Sequence, residues 1–375
     1  MPVPEELFAA LRRHPDVEAP NLYAVDGADR LILDEAAAAL AAAASGTVAV
    51  IGDHYGALTL GAVAGYGASE VRVHQDPLTG ELALAGNAER AGLAGSYRQC
   101  GLGEDLLAGA TVVLLQLPRG LAALAEIAET IARYADPSVV VYGGGRDKHM
   151  GRTFNDVLAG SFAEVHATRG RQKSRVLVAA GPTPGPASYP RREHLPELGL
   201  DVVAHGAAFA GPTLDLGTRF LLDVLPRTDP TARTAVDLGC GTGILAVSLA
   251  RLRPELAVIA TDQSAAAVDS AAATAAANGV GERVTCLRDD AMSTLDARSA
   301  DLIVCNPPFH IGAAVHTGAA QAMFRAAARV LRPGGELWTV FNSHLGYRPA
   351  LASAVGPTEQ IGRNPKFTVT RSVAR

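Results

Sequence analysis

The 375-residue sequence is poor in aromatic side chains, at 5%, and holds one tryptophan, so its 48% hydrophobic content is mostly alanine, valine and leucine. With 19% charged residues this is globular composition, and it excludes a disordered or fibrous chain. Cysteine is equally scarce. Cys100, Cys240, Cys286 and Cys305 stand far apart with no CxxC pair, and no histidine falls at metal-ligand spacing, which argues against a disulfide framework and a zinc site. The expectation is a cytoplasmic protein without a metal. No run approaches the roughly 18 uncharged apolar residues that a membrane helix needs. The opening MPVPEELF carries two acids and no apolar leader core, so neither export nor membrane insertion is expected.

Length predicts two domains, because a chain of this size exceeds what one core usually serves. The stretch from Gly181 to Pro190, rich in glycine and proline, reads as the connector, and the expected division is 1–185 and 186–375. After it, short β-branched runs alternate with helical patterns: TAVDLG, GILAVSLARL, AVIATD, the alanine run Ala265 to Ala277, RVTCLRDD, ADLIVC, AAQAMFRAAARVL and GELWTVFN. Repeated alternation of this kind implies an α/β fold, a doubly wound and mostly parallel sheet with helices on both faces. The first half repeats the plan more faintly. Pairing TVAVIGDHYGALTLGAVA with TAVDLGCGTGILAVSLA, and LLQLPRGLAALAEIAETI with IVCNPPFHIGAAVHTGAA, points to two copies of one domain, with the polar signature missing from the first.

The net charge of −5 is unevenly spread: 8 basic and 18 acidic side chains before residue 146, 9 and 4 from 146 to 194, and 16 of each thereafter. The middle stretch is the one place suited to phosphate. Arg169, Arg171, Lys173 and Arg175 are its expected phosphate contacts, the plainer reading being a solvated face.

The strongest chemical signal is Asp237-Leu238-Gly239-Cys240-Gly241-Thr242-Gly243, after a strand and opening a helix. Glycines there let the backbone pass close beneath a nucleoside at the carboxyl end of a parallel sheet. The dinucleotide fingerprint requires G-x-G-x-x-G, and Ile244 stands where its third glycine would be, so NAD is disfavoured. Asp262 closes the next strand, where a carboxylate accepts from both ribose hydroxyls. Asp290, with Ala291, ends the third and can receive an adenine amine. The second signal is Asn306-Pro307-Pro308-Phe309 after the buried strand ADLIVC. An amine conjugated to a base is a poor nucleophile, so its lone pair must be aimed at the electrophile. Asn306 can accept one N–H and the Pro307 carbonyl the other, two prolines stiffen the backbone, and Phe309 can stack on the base. Leu214 to Phe220 reads as an N-capped helix start or a lid over the cofactor, and His310 as a loop histidine.

With these motifs the sequence resembles the class I methyltransferases of the small-domain type with an NPPF motif, and within them the tandem-domain guanine-N2 methyltransferases of 23S and 16S ribosomal RNA. VDLGCGTG, TLDLGTRFLL, VCNPPFH, LRPGGELW and NPKFTV carry the likeness, which extends over nearly the whole chain. It implies two tandem Rossmann-like methyltransferase domains, each a doubly wound and mostly parallel sheet, and a seven-stranded sheet whose last strand is antiparallel. It implies S-adenosyl-L-methionine held by Asp237, Gly239, Gly241, Gly243, Asp262, Gln263, Asp290 and Ala291 with Asn306 at its edge, and an amine held by Asn306 and Pro307 beside Pro308 and Phe309. The partner it implies is ribosomal RNA or a ribosomal subunit, bound by a monomer. The first domain, with GDHYG in the glycine turn and Gln116-Leu117-Pro118-Arg119 where N-P-P is needed, is expected to be degenerate and to serve substrate recognition or folding. Other readings share part of the pattern. An N5-glutamine protein methyltransferase has the same amine geometry but typically Tyr in place of Phe309 and no first copy; a DNA amine methyltransferase and a non-catalytic RNA-binding protein are further alternatives, the last opposed by intact Asp237, Asp262 and Asn306.

Overall fold

The alternating apolar runs fold as two seven-stranded sheets in a computed structural model, which describes residues 3–308 and 317–375. Phe309 and His310 lie outside the described residues. The chain divides into two units, Met1–Tyr189 and Pro190–Arg375.

The first unit's strands are β1 (Val48–Ile51), β2 (Val71–His74), β3 (Tyr97–Gln99), β4 (Val112–Gln116), β5 (Val140–Arg146), β6 (Phe162–Ala167) and β7 (Ser174–Pro182). Their order is β3-β2-β1-β4-β5-β7-β6, with β7 antiparallel to both its neighbours. Helices α1 (Gly27–Glu35) and α2 (Ala57–Tyr66) belong to this unit. The glycine- and proline-rich connector stays with it as well: Ser188 donates its backbone N–H to Glu129 Oε2 at 3.0 Å.

In the second unit a hairpin of β8 (Arg191–Leu195) and β9 (Leu200–Ala204) precedes the main sheet of β10 (Thr234–Leu238), β11 (Ala257–Asp262), β12 (Val284–Arg288), β13 (Ala300–Cys305), β14 (Leu331–Asn342), β15 (Thr358–Arg363) and β16 (Phe367–Val373). The order β12-β11-β10-β13-β14-β16-β15 repeats that of the first sheet, and β16, the last strand, runs antiparallel between β14 and β15. Strand β13 is apolar from Leu302 to Cys305 because both faces are covered there: Leu302 and Val304 join one core, Ile303 and Cys305 the other. A parallel sheet so buried exposes function only at its carboxyl edge, where β10 to β13 release the residues discussed below.

The helices that matter here are α3 (Leu216–Leu222), α4 (Ile244–Leu252), α5 (Ala265–Ala277) and α6 (Thr317–Val330). Alanine explains why α5 is a helix, but its polar residues explain what it packs against. Ser270, Thr274 and Asn278 recur every fourth residue and so share one face. They serve as a side-chain ladder for β9. Thr274 Oγ1 accepts the Val203 N–H at 3.0 Å and donates to the Val203 carbonyl at 3.1 Å. Asn278 does the same for Asp201 at 3.0 and 2.7 Å, and Ser270 Oγ accepts the His205 N–H at 2.9 Å. A strand edge that would otherwise bury unpaired amides is satisfied by a helix.

Candidate active site

The glycine turn after β10 takes its shape from three left-handed residues, and each glycine is needed for a different reason. Gly239 (φ +76°) begins the turn, its N–H and that of Cys240 both bonded to the Thr261 carbonyl at 2.8 and 3.1 Å. A Cβ on Gly243 (φ +77°) would fall 2.9 Å from both Cα and Cβ of Ala271, so this glycine lets α5 close on the turn. Gly241 (φ +52°) has nothing among the described residues within 4 Å of the place a Cβ would take. Its side facing that space is left open.

Two carboxylates hold the turn from beneath and beside. Asp237 is fully buried; its Oδ2 accepts the Ala246 N–H of α4 at 2.9 Å, and its Oδ1 is buried with no partner among the described residues. Burial pushes its carboxyl up to about 7, and the nearby charge of Asp262 adds to the rise. Asp262, at the end of the neighbouring β11, accepts the Gly241 N–H at 3.1 Å on one oxygen and the Ser264 N–H at 3.0 Å on the other. Gln263 follows it, exposed.

After β12 the two adjacent acids divide their work. Asp289 is buried and accepts the backbone N–H groups of Ser293 and Thr294, each at 3.0 Å, together with both their hydroxyls. Burial would raise its pKa, but these bonds win and hold it below the ordinary carboxylate range. The loop so anchored keeps Ala291 (φ +48°) and Met292 (φ +59°) in left-handed conformations that non-glycine residues seldom adopt. Asp290 is left half-buried beside them.

Asn306 leaves the end of β13, the strand on the other side of β10. Its Nδ2 donates to Asp215 Oδ2 and to Thr218 Oγ1, both at 3.1 Å, while its Oδ1 is buried and has no partner among the described residues. Asp215 is the N-cap of α3, accepting from Gly217 and Thr218. The LDLGTRF segment is therefore a capped helix start that also reaches the strand-end amide, a contact 91 residues apart that no local pattern announces. Gly217 and Phe367 close the same corner: a Cβ on Gly217 would lie 3.3 Å from the Phe367 ring and 3.4 Å from Asn306 Oδ1. Pro307 is buried and Pro308 exposed. Among the described residues no group of three or more His, Cys, Asp or Glu side chains is placed to hold a metal ion, and no helix is long and apolar enough to cross a membrane.

The first unit has the same sheet but a different turn. Gly52 donates to the His74 carbonyl at 2.9 Å as Gly239 does to that of Thr261, and this equivalence puts Val50 at the place of Asp237, His54 at that of Gly241 and Gln75 at that of Asp262. His54 retains the left-handed backbone (φ +58°) but carries a ring where Gly241 leaves space. The helix end is still capped by a buried acid, now from the turn itself: Asp53 accepts the N–H groups of Leu58 and Thr59 at 2.7 and 2.8 Å, and burial raises its pKa to about 6. Register also corrects the sequence alignment by one residue. Ile51 pairs with Leu115 as Leu238 pairs with Cys305, so Gln116, Leu117 and Pro118 stand where Asn306, Pro307 and Pro308 do.

The four basic residues of the middle stretch lie exposed on the β6–β7 hairpin, with Arg169, Arg171 and Lys173 in its turn and Arg175 at the start of β7. Arg171 is 3.4 Å from both Asp34 and Glu35, and Arg175 is 3.3 Å from Asp147. Pairs this exposed contribute little to stability.

Comparison with known proteins agrees with this architecture in both halves. Residues 199–371 match the methyltransferase small domain and residues 4–183 the RLMG N-terminal domain. A ribosomal RNA large subunit methyltransferase G of Pseudomonas paraeruginosa is 36% identical over 99% of this chain and 100% of its own length. The chain belongs to this family. A Streptomyces avermitilis member is 34% identical over 98% of this chain and 97% of its own. The fold is shared with a T. thermophilus "16S rRNA N2 G1207 methyltransferase" solved in complex with AdoMet and guanosine, at a TM-score of 0.73 and 23% identity over 96% of this chain and 97% of that one. The second unit is thus a methyltransferase domain, and the first a second copy of its fold.

Proposed function

We propose that the second unit transfers the methyl group of S-adenosyl-L-methionine to the exocyclic N2 amine of a guanine in ribosomal RNA. The observation that carries this reading is Asn306: its NH2 group is committed to Asp215 and Thr218, leaving a buried oxygen that has no donor among the described residues. A buried acceptor without a partner costs about 1 to 3 kcal/mol, and an amine N–H supplied by substrate would relieve it.

The cofactor fits the turn. Gly239, Gly241 and Gly243 give it close passage, Asp262 with Gln263 receives the ribose hydroxyls, Asp290 and Ala291 the adenine, and Asp237 supports the turn from below. When bound, the cofactor supplies a methyl group on a positively charged sulfur. The chain supplies orientation: Asn306 Oδ1 accepts one amine N–H and the Pro307 carbonyl the other, which leaves the nitrogen lone pair to face the methyl group. A nitrogen–carbon bond forms as the carbon–sulfur bond breaks, and the amine, positively charged after transfer, releases a proton to water. No general base is required. Phe309, from the same motif, would stack on the base.

Guanine N2, adenine N6 and cytosine N4 all offer an N–H pair, and the tandem arrangement supports guanine in ribosomal RNA, because relatives named as ribosomal RNA methyltransferases share it from end to end. In the first unit the positions of Asp237 and Gly241 hold Val50 and His54, which supports a single cofactor per chain and a role in gripping RNA, with Arg169, Arg171, Lys173 and Arg175 on phosphates. The protein acts as a cytoplasmic monomer on RNA or a ribosomal subunit. The test is Asn306→Ala. It should bind S-adenosyl-L-methionine with near wild-type affinity in a calorimetric titration while transfer to RNA falls by orders of magnitude; undiminished transfer would overturn the reading.

A further inference from the structure

We infer that Asp215 and Thr218 are positioning residues that fix which end of the Asn306 amide meets the substrate. The inference rests on the role of Asn306 proposed above.

A primary amide has two ends of nearly the same size and opposite hydrogen-bonding character. Turned by 180°, Asn306 would present N–H groups to an amine that itself must donate, and the substrate would be repelled from the pose that transfer needs. Apolar packing cannot distinguish the two ends, so hydrogen-bond partners have to. Here both amide hydrogens are used, on Asp215 Oδ2 and Thr218 Oγ1 at 3.1 Å each. The reversed amide would set its oxygen against a carboxylate. Asp215 is in turn fixed by its own duty, since Oδ2 also accepts the N–H groups of Gly217 and Thr218 at 2.8 and 3.1 Å and so caps α3. Gly217 completes the arrangement. A Cβ there would stand 3.0 Å from Asp215 Oδ2 and 3.4 Å from Asn306 Oδ1, crowding the cap and covering the oxygen that has to stay accessible.

The first unit supports this independently. Gln116 occupies the register position of Asn306, and its Nε2 donates to Asp29 Oδ1. Asp29 stands three residues after Asp26, the N-cap of α1, as Thr218 stands three residues after Asp215, the N-cap of α3. Both copies therefore anchor the strand-end amide on the first turn of the helix that precedes the sheet. The first copy has kept this link while losing the open glycine turn and the paired prolines.

The experiment compares Thr218→Val, Thr218→Ser and Asp215→Ser, with Asn306→Ala and the double variant Thr218→Val/Asn306→Ala, in steady-state transfer to ribosomal RNA that lacks the modification. Thr218→Val keeps the shape and removes the acceptor. It should lower kcat about fivefold, as for one neutral hydrogen bond, with KM for RNA and cofactor affinity little changed. Thr218→Ser should restore the rate. Asp215→Ser, still able to cap the helix, should lower kcat tenfold or more, as for a bond to a charged acceptor. In the Asn306→Ala background Thr218→Val should have no further effect, because there is no amide left to orient. An unchanged kcat in Thr218→Val and Asp215→Ser, or an equal loss from Thr218→Val with and without Asn306, would overturn the positioning role and leave Asn306 as the amine acceptor. Full transfer by Asn306→Ala would instead remove the reading on which the inference rests.

Discussion

Gly243 and Ala271 touch so closely that no side chain fits between them: a Cβ on Gly243 would lie 2.9 Å from both Cα and Cβ of Ala271. Gly243→Ala should therefore destabilise the second unit by about 1 to 3 kcal/mol, through the left-handed backbone and the clash together. Adding Ala271→Gly should rescue it only partly, since the clash with the helix backbone persists. Gly241→Ala should behave differently. Its left-handed backbone adds a strain of about 1 kcal/mol, but with nothing among the described residues within 4 Å there is no clash, and its main effect is expected on cofactor affinity. Denaturant midpoints and calorimetric titrations of the variants separate the two effects.

Asp237 makes the stability of the cofactor-free protein depend on pH. The unfolded chain releases this proton near the ordinary value of 3.8, whereas the folded chain holds it to about 7. Between those values the folded state binds more protons, so stability falls as pH rises through the window and levels off above it. The penalty above pH 7 is on the order of 4 kcal/mol at most. Asp237→Asn, which keeps an acceptor for the Ala246 N–H, should flatten the fall between pH 4 and 7 seen in thermal melts (about the span given by the two pKa values) and leave stability near pH 4 unchanged. A profile identical to wild type would refute the buried-carboxyl account.

The ladder on α5 gives a prediction about folding with no direct part in chemistry. Thr274→Val keeps the shape and leaves the buried Val203 N–H without its acceptor. The loss should be about 1 to 3 kcal/mol in equilibrium denaturation, and Thr274→Ser should recover most of it.

Much of this was legible in the sequence, and the exceptions have physical causes. The glycine turn, Asp262 and the strand before Asn306 could be read because each is local: a β-branched run, then residues that only a special backbone or a ligand requires. The mostly parallel character of the second sheet followed from its βα alternation, whereas the order of its strands is set by the fold. In the first unit β3 has no legible pattern because it is three residues long with Arg98 exposed between half-buried Tyr97 and Gln99, and β6 and β7 lie in the basic stretch, where charge hides the alternation of RVLVAA. The Asp289 clamp was overlooked in favour of its neighbour, since two adjacent acids look alike until one is seen buried against Ser293 and Thr294. Asp215 was legible as a helix cap but not as the partner of Asn306, because nothing in residue spacing records a contact made by the fold.

The cofactor reading concerns affinity and count together. Asp262→Ala should weaken S-adenosyl-L-methionine binding at least tenfold, as expected for the loss of two charge-assisted hydrogen bonds of about 1.5 to 3 kcal/mol each. The wild-type titration should saturate at one cofactor per chain. A second site would mean that the turn bearing His54 and Tyr55 still accepts a nucleoside.

The product of the reaction tests the central claim most directly. Ribosomal RNA lacking the modification is incubated with the protein and S-adenosyl-L-methionine labelled in its methyl group, then digested to nucleosides and resolved by mass spectrometry. The account predicts label in N2-methylguanosine, reduced by orders of magnitude when Asn306 is replaced by alanine. Label in N6-methyladenosine, or in ribosomal protein and not in RNA, would contradict it.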